Sequence, residues 1–174
     1  MRRLATNLPR SLVYLDIKRD MVETTTLAYL AGIIDGEGCI GIYGYREHWA
    51  NGRTFRIDVR VGMGEPHAVV LLRQTFGGSI CSRKNLPKGA TKPSYQWNVS
   101  NKLAVACLKL LVPFLRVKKA QADLVLEFAK TRAEMGHKYG KLPYTEQEFT
   151  KLAEYGDLLR ETKREVIPLH AVVN

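Results

Sequence analysis

The chain has 174 residues, 45% of them apolar, so it is long enough for one folded domain and too apolar to be disordered. No apolar run approaches the roughly 18 to 20 residues that a membrane-spanning helix needs, so no membrane partner is expected. Lysine and arginine number 27 against 17 acids, and the net charge of +10 indicates a polyanionic partner, most simply nucleic acid.

The first element along the chain is a helix that follows an N-terminal extension. Residues 1–22 are expected to be this extension, and residues 23–174 a single domain. Thr24 to Thr26 offer an N-cap, and apolar side chains then recur at i, i+3, i+4 and i+7. These side chains are Leu27, Leu30, Ala31 and Ile34. The helix should end at the glycines of 36–38, because glycine permits backbone conformations that other residues avoid.

Two hairpins come next, with a second helix between them. The segment TFRIDVRVG (54–62) alternates apolar and polar side chains, which is typical of a half-buried antiparallel strand. Its partner is CIGIYGYR (39–46), and the second hairpin pairs SICSRKN (79–85) with SYQWNVS (94–100). EPHAVVLLRQTFGG (65–78) between the hairpins is predicted as a helix that opens with its proline.

Three more helices complete the chain, and the first two of them are separated near Pro113. They are NKLAVACLKLLVPFL (101–115), KKAQADLVLEFAKTR (118–132) and TEQEFTKLAEYGDLLRETKRE (145–165). The order α-β-β-α-β-β-α-α-α predicts an α+β fold with a four-stranded antiparallel sheet. One face of this sheet should pack on the helices and leave the other face free.

The free face of the sheet is predicted to bind nucleic acid. A two-stranded ribbon fits the major groove, and polar side chains on it supply the donors and acceptors that base edges require. Strand alternation gives the outward residues that are candidates to read bases: Tyr43, Tyr45, Thr54, Arg56, Asp58, Arg60, Cys81, Arg83, Gln96 and Asn98. A register slip of one residue would exchange the two faces.

The three cysteines, Cys39, Cys81 and Cys107, are widely spaced and form no C-x-x-C pair. This spacing argues against a disulfide framework and against a structural zinc site. It fits a reducing compartment, in a prokaryotic cytoplasm or an organelle matrix, and argues against secretion.

The segment LAGIIDGEG (30–38) resembles the LAGLIDADG motif of homing endonucleases, with Glu37 in place of the second acid of that motif. Three further segments look like parts of the single-motif members, so the resemblance runs from about residue 25 over most of the chain. They are LLRQTFGGSI, YQWNVSNKLAVACLKLL and VPFLRVKKAQADLVLEF. The resemblance implies an αββαββα saddle with additional C-terminal helices. The sheet of this saddle straddles DNA, and the motif helices of two halves pack together.

The resemblance also implies which residues form the active site. Glu37 is implied as the catalytic ligand of Mg²⁺, with the Gly36 carbonyl as a second ligand and Lys118 as the active-site lysine. Met63 stands where many members carry Gln or Asn, and His67 is a candidate to rebuild that polar pocket.

The motif helix is further implied to form the dimer interface. Asp35 is expected to brace the pair of motif helices rather than to bind metal. The interface residues are predicted as Ala28, Ala31, Gly32 and Asp35, and the small residues at 28, 32 and 36 would let two helices approach closely.

The implied function is a homodimeric, site-specific DNA endonuclease. It would make a Mg²⁺-dependent staggered double-strand break at a long pseudo-palindromic target, which promotes insertion of the element encoding it, such as an intron. Two alternatives stay open at this point, an RNA-binding intron maturase and a non-catalytic DNA-binding regulator with the same fold. Metal-dependent cleavage of DNA separates the first function from both alternatives.

Overall fold

The computed structural model describes residues 22–47, 52–83, 93–136 and 144–164, so nearly all of the predicted N-terminal extension lies outside it. Five helices and four strands follow one another along these residues in the predicted order, which confirms the α+β fold. They are α1 (Thr24–Glu37), β1 (Gly38–Glu47), β2 (Gly52–Met63), α2 (Pro66–Phe76), β3 (Ser79–Arg83), β4 (Ser94–Ser100), α3 (Asn101–Leu111), α4 (Lys119–Glu134) and α5 (Glu146–Thr162).

The four strands form one antiparallel sheet in the order β1-β2-β4-β3, so each hairpin contributes one central and one edge strand. Ile40 lies opposite Val59, which in turn lies opposite Val99. Trp97 lies opposite Ile80 on the same face. All of these side chains except Ile80 are at most 1% exposed. This face is therefore the core side of the sheet, and the helices cover it.

The motif helix α1 buries Leu27, Leu30, Ala31 and Ile34, which are the four side chains that the helical spacing predicts. The predicted threonine N-cap is wrong. Glu23 is the N-cap residue, and no side chain caps the helix, because the backbone is still extended at Glu23 and already helical at Thr24.

A close approach of the backbone fixes β4 next to the end of α2. Gly77 and Gly78 have φ angles of 76° and 85°, in the left-handed region that glycine tolerates best. A Cβ atom on Gly78 would lie 2.4 Å from the carbonyl oxygen of Asn98, so a larger residue does not fit. The indole N–H of Trp97 donates to the Gly77 carbonyl at 2.8 Å. These contacts hold the hairpin that carries Asn98.

The predicted break near Pro113 is present, since α3 ends at Leu111 and α4 begins at Lys119. The short segment between them includes residues 116–118, which belong to the candidate site. None of the helices within the described residues is both long and apolar enough to span a membrane.

Candidate functional site

The motif helix ends at the sheet, and its last residue is the predicted catalytic acid. α1 ends at Glu37, and β1 begins at Gly38. A Cβ atom on Gly38 would lie 2.5 Å from the carbonyl oxygen of Ile34, so glycine is required where the helix turns directly into the strand. The Glu37 side chain is exposed and makes no hydrogen bond or ion pair with any described residue. Its carboxylate is therefore available to a ligand.

The other acid of the motif binds the chain itself. Asp35 Oδ2 accepts the backbone N–H of Arg116 at 2.7 Å, and Oδ1 accepts that of Lys118 at 2.8 Å. Hydrogen bonds to a carboxylate are roughly twice as strong as neutral ones, so this contact ties the end of α1 to the segment before α4. Both carboxylate oxygens of Asp35 thus have partners within the chain, and the place of Asp35 in a dimer interface stays a prediction.

The same contact brings Lys118 to the end of the motif helix. Its ammonium group donates to the carbonyl of Asp35, which lies in the last turn of α1, and the side chain is half-buried. The C-terminal end of a helix carries negative partial charge, to which Glu37 adds a full negative charge. Lys118 therefore offsets the electrostatic cost of placing an acid at this end of the helix.

The residues at this helix end suit a Mg²⁺ ion that is held partly by substrate. Mg²⁺ in proteins usually binds one or two carboxylates, several waters and substrate phosphates. Glu37 offers one unused carboxylate, and the Gly36 carbonyl lies in the last turn, where helix carbonyls lack intrahelical partners. Within the described ranges, no three His, Cys, Asp or Glu side chains gather into a metal-binding group. The remaining ligands of such a metal would have to come from elsewhere.

Met63 does not supply a polar group beside Glu37, the predicted catalytic acid. Gly38 lies opposite Val61, so the end of β2 lies beside the end of α1. The Met63 side chain is partly buried and packs on the hydrophobic core. It therefore contributes to packing and cannot replace the Gln or Asn that the resemblance implies at this position.

A carboxylate–imidazole pair follows directly after this position. Glu65 Oε1 accepts the backbone N–H of His67 at 3.1 Å and also bonds the Nδ1 atom of its ring. The backbone N–H, followed by the ring, lowers the pKa of Glu65. The His67 side chain is 93% exposed, so its ring is open to solvent. Glu65 was not predicted from the sequence, although the proline that follows it marks it as the N-cap of α2.

The strand register places all ten predicted base-reading positions on one face of the sheet, opposite the core. The cross-strand pairs are Tyr43–Arg56, Tyr45–Thr54, Arg60–Asn98, Cys81–Gln96 and Arg83–Ser94. The side chains of Tyr45 and Arg83 lie outside the described part of the chain. Among the others, Tyr43, Arg56 and Cys81 are exposed, and Arg60, Gln96 and Asn98 are half-buried.

Four side chains of this face form a connected group, the Asp58 cluster, which consists of Tyr43, Arg56, Asp58 and Arg60. Asp58 Oδ2 accepts from Arg56 Nε at 3.0 Å and from Arg60 Nη2 at 3.2 Å. The Arg60 guanidinium lies 4.7 Å from the centre of the Tyr43 ring, a cation–π distance. Burial, and then the neighbouring Cys39 thiol, raise the pKa of the Tyr43 hydroxyl, which therefore stays protonated as a donor at neutral pH.

Two of the predicted base-reading residues are buried. Asp58 is only 1% exposed, because its two arginine partners cover the carboxylate. Thr54 is 7% exposed and lies near the start of β2, where Arg132 of α4 donates to the carbonyl of Phe55 at 3.1 Å. The prediction that Thr54 and Asp58 read bases directly is therefore wrong for the chain in this state.

Some residues of the predicted dimer interface are exposed, and one is buried in the core. Ala28, Gly32 and Gly36 are exposed along α1, and a Cβ atom added to either glycine would meet nothing within 4 Å. Ala31 is fully buried. Its prediction as an interface residue is wrong, because it lies four residues after Leu27 on the face that packs against the core.

No family model and no curated protein matches the chain, whereas solved structures match it over most of its length. The homing endonuclease I-CvuI, in complex with its target in calcium, has a TM-score of 0.65 at 19% identity, covering 87% of each chain. A second structure of I-CvuI contains magnesium and DNA that is not cleaved, with a TM-score of 0.63 at 21% identity over 85% of this chain and 90% of that one.

Two intron-encoded homing endonucleases complexed with DNA also match. The archaeal enzyme I-Vdi141I has a TM-score of 0.65 at 17% identity, over 85% of this chain and 90% of that one. The group I intron enzyme I-CeuI has a TM-score of 0.58 at 14% identity, over 96% and 93%. Identities this low show the fold. The chain has the fold of the LAGLIDADG homing endonucleases, which confirms the resemblance at the level of structure.

Proposed function

We propose that this chain, with the LAGLIDADG homing endonuclease fold, is a site-specific DNA endonuclease that hydrolyses both strands with a divalent metal. One observation carries the proposal. The exposed acid Glu37 has no partner among the described residues and lies at the tip of a helix that Asp35 anchors to the segment of Lys118. A carboxylate that bonds no described residue, at a helix end fixed by hydrogen bonds, is better placed to bind a ligand than to stabilise the fold.

The roles of the site residues follow from their contacts. Glu37 and the Gly36 carbonyl would hold Mg²⁺, which supplies an activated water and stabilises the leaving oxygen when it is bound. Asp35 is a positioning residue, because it fixes the backbone of residues 116 and 118. Lys118 carries its positive charge to the end of α1, close to where a scissile phosphate would lie if a metal held by Glu37 bound it.

The free face of the sheet is the proposed surface for double-stranded DNA. It carries the exposed or half-buried Tyr43, Arg56, Arg60, Gln96 and Asn98. The net charge of +10 favours a polyanion generally, and the matched homing endonucleases are DNA complexes. Cys39, Cys81 and Cys107 are all free thiols, which supports a reducing compartment for this activity.

A homodimer is proposed because the chain has one motif, whereas a double-strand break needs two active sites. A two-fold dimer would place one Glu37 at each strand and would favour a pseudo-palindromic target. The exposed small residues Ala28, Gly32 and Gly36 on α1 would allow the two motif helices to pack closely.

Replacing Gly32 by Leu is expected to leave the chain folded and to weaken the dimer by about tenfold or more. The added side chain enters open space in one protomer, and a leucine favours the helix. Between two packed helices the same side chain would cost roughly 1–3 kcal/mol. Sedimentation across a concentration series measures the dimer, and circular dichroism checks the fold.

The matched control for this variant is Ala133→Leu, which adds a leucine to an exposed position of α4. It should sediment as the parent protein does. An unchanged dimer in Gly32→Leu would show that α1 does not form the interface, and a monomeric parent, even with DNA present, would contradict the homodimer itself.

The direct test of the proposed function uses the DNA that flanks the reading frame. If the frame lies in an intron, joining the two exon edges gives the candidate target. A plasmid carrying this sequence should be linearised in Mg²⁺, with staggered ends that have 3′ overhangs, and should stay intact in EDTA. Specific binding without any cleavage would support a DNA-binding regulator instead. Binding to the intron RNA but not to DNA would support a maturase.

A further inference from the structure

The carboxylate of Asp58 lies beneath two arginines on the proposed DNA-binding face. Its Oδ2 atom lies 3.0 Å from Arg56 Nε, 2.9 Å from Arg56 Nη2 and 3.2 Å from Arg60 Nη2. The Oδ1 atom is buried and has no hydrogen-bond partner among the described residues. A buried carboxylate with an unpaired oxygen is costly, and the two guanidinium groups are what compensates it here.

The contact uses one particular edge of Arg56. A guanidinium has five N–H donors, and Asp58 engages the edge formed by Nε and Nη2. The outer fork, formed by Nη1 and the second hydrogen of Nη2, stays available, and the Arg56 side chain is 48% exposed. This outer fork matches the O6 and N7 acceptors of guanine in the major groove.

Arg60 is held from two sides. One Nη2 hydrogen bonds Asp58, and the guanidinium lies against the Tyr43 ring at 4.7 Å. Its side chain is 33% exposed, so less of it can reach a base. Together the two arginines and Asp58 carry a net charge of +1 instead of +2, which reduces their attraction to any phosphate.

We propose that Asp58 is a specificity-determining positioning residue, which holds Arg56 with its outer fork directed at a guanine in the target. This inference rests on the proposed DNA-binding function and goes beyond it by assigning one base preference to one arginine. Asp58 contributes by fixing the plane of the guanidinium before DNA arrives and by removing one positive charge from the surface. It therefore lowers affinity for random DNA and raises discrimination.

The test is a selection of binding sites from randomised duplex DNA, carried out in Ca²⁺ with the full chain. The parent protein should recover sites that share a guanine at one fixed position in each half-site. Arg56→Lys keeps the positive charge and lacks the fork, so it should lose the preference for that guanine by about tenfold. Asp58→Asn should bind random DNA more tightly than the parent, with a guanine preference reduced by a similar factor.

The matched control is Asp157→Asn, which removes the carboxylate partner of Arg160 on the exposed surface of α5. It should change neither affinity nor base preference. A guanine preference that survives in Asp58→Asn would overturn the positioning role of Asp58, and one that survives in Arg56→Lys would overturn the assignment of the guanine to Arg56. Either result would leave the endonuclease proposal standing. Failure of the parent protein to select any DNA sequence would overturn both. If Asp58→Asn melts below the assay temperature, the selection is repeated for all variants below the melting temperature of Asp58→Asn, and the same outcomes decide.

Discussion

Replacing Glu37 by Gln is expected to abolish DNA cleavage and to leave DNA binding intact. The change removes a charged metal ligand while nearly preserving size, and a bound metal supplies several kcal/mol of transition-state stabilisation. Cleavage should therefore fall by roughly a thousandfold. Binding should survive or tighten, because one carboxylate near the phosphates is neutralised. Thermal stability should hardly change, since Glu37 is exposed and bonds no described residue.

Three measurements on one protein sample decide this prediction: thermal melting, target affinity in Ca²⁺ and cleavage in Mg²⁺. Glu154→Gln on α5 is the control, an exposed acid outside the site that should retain full cleavage. Cleavage by Glu37→Gln at the parent rate would remove Glu37 from the active site. A fall in melting temperature and affinity together would show that Glu37 supports the fold instead.

Replacing Asp35 by Asn is expected to destabilise the fold and to reduce cleavage. Asp35 accepts two backbone N–H groups, whereas asparagine offers one acceptor oxygen and one amide donor. One of the two N–H groups at Arg116 and Lys118 would then face another donor. The free energy of unfolding should fall by roughly 1–3 kcal/mol, the cost of leaving such a group unsatisfied. Urea unfolding measures this change.

The slower cleavage expected of Asp35→Asn should result from displacement of Lys118, whose backbone N–H Asp35 holds. The double variant Asp35→Asn with Lys118→Ala should cleave no more slowly than the slower single variant, because both changes disturb the same segment. Asp123→Asn, which breaks an exposed ion pair with Lys119, is the control and should shift stability by less than about 0.5 kcal/mol. Additive losses in the double variant would show that Asp35 does not act by positioning Lys118.

Local patterns in the sequence predicted the order of helices and strands and the buried face of the sheet and of α1. The alternation in β2 was sufficient to assign both sheet faces, because cross-strand pairing carries the same parity into β1, β4 and β3. The helical spacing from Leu27 to Ile34 also predicted the buried face of α1. The helical spacing placed Ala31 on the buried face, whereas the resemblance of the motif placed it in the dimer interface. The structure agrees with the spacing, because Ala31 is fully buried.

Contacts between residues that are distant in the chain could not be predicted from local sequence patterns. Asp35 reaches Arg116 across 81 positions, so its role depends on how the segment before α4 folds back. The burial of Asp58 depends on the conformations that Arg56 and Arg60 adopt, which alternation does not specify. Met63 was identified as unusual, but only the packing of its side chain shows that it belongs to the core.

The single carboxylate shared by Arg56 and Arg60 also constrains how this surface can evolve. Most outward positions on the sheet can change without disturbing the core on the opposite face, so affinity for new targets can drift independently of stability. Positions 56, 58 and 60 cannot change independently, because losing either arginine removes one of the two positive partners of Asp58 together with part of its cover. Substitutions there should be strongly non-additive. A lineage that acquires a new target sequence would exchange these three residues as a unit, while the neighbouring positions vary one at a time.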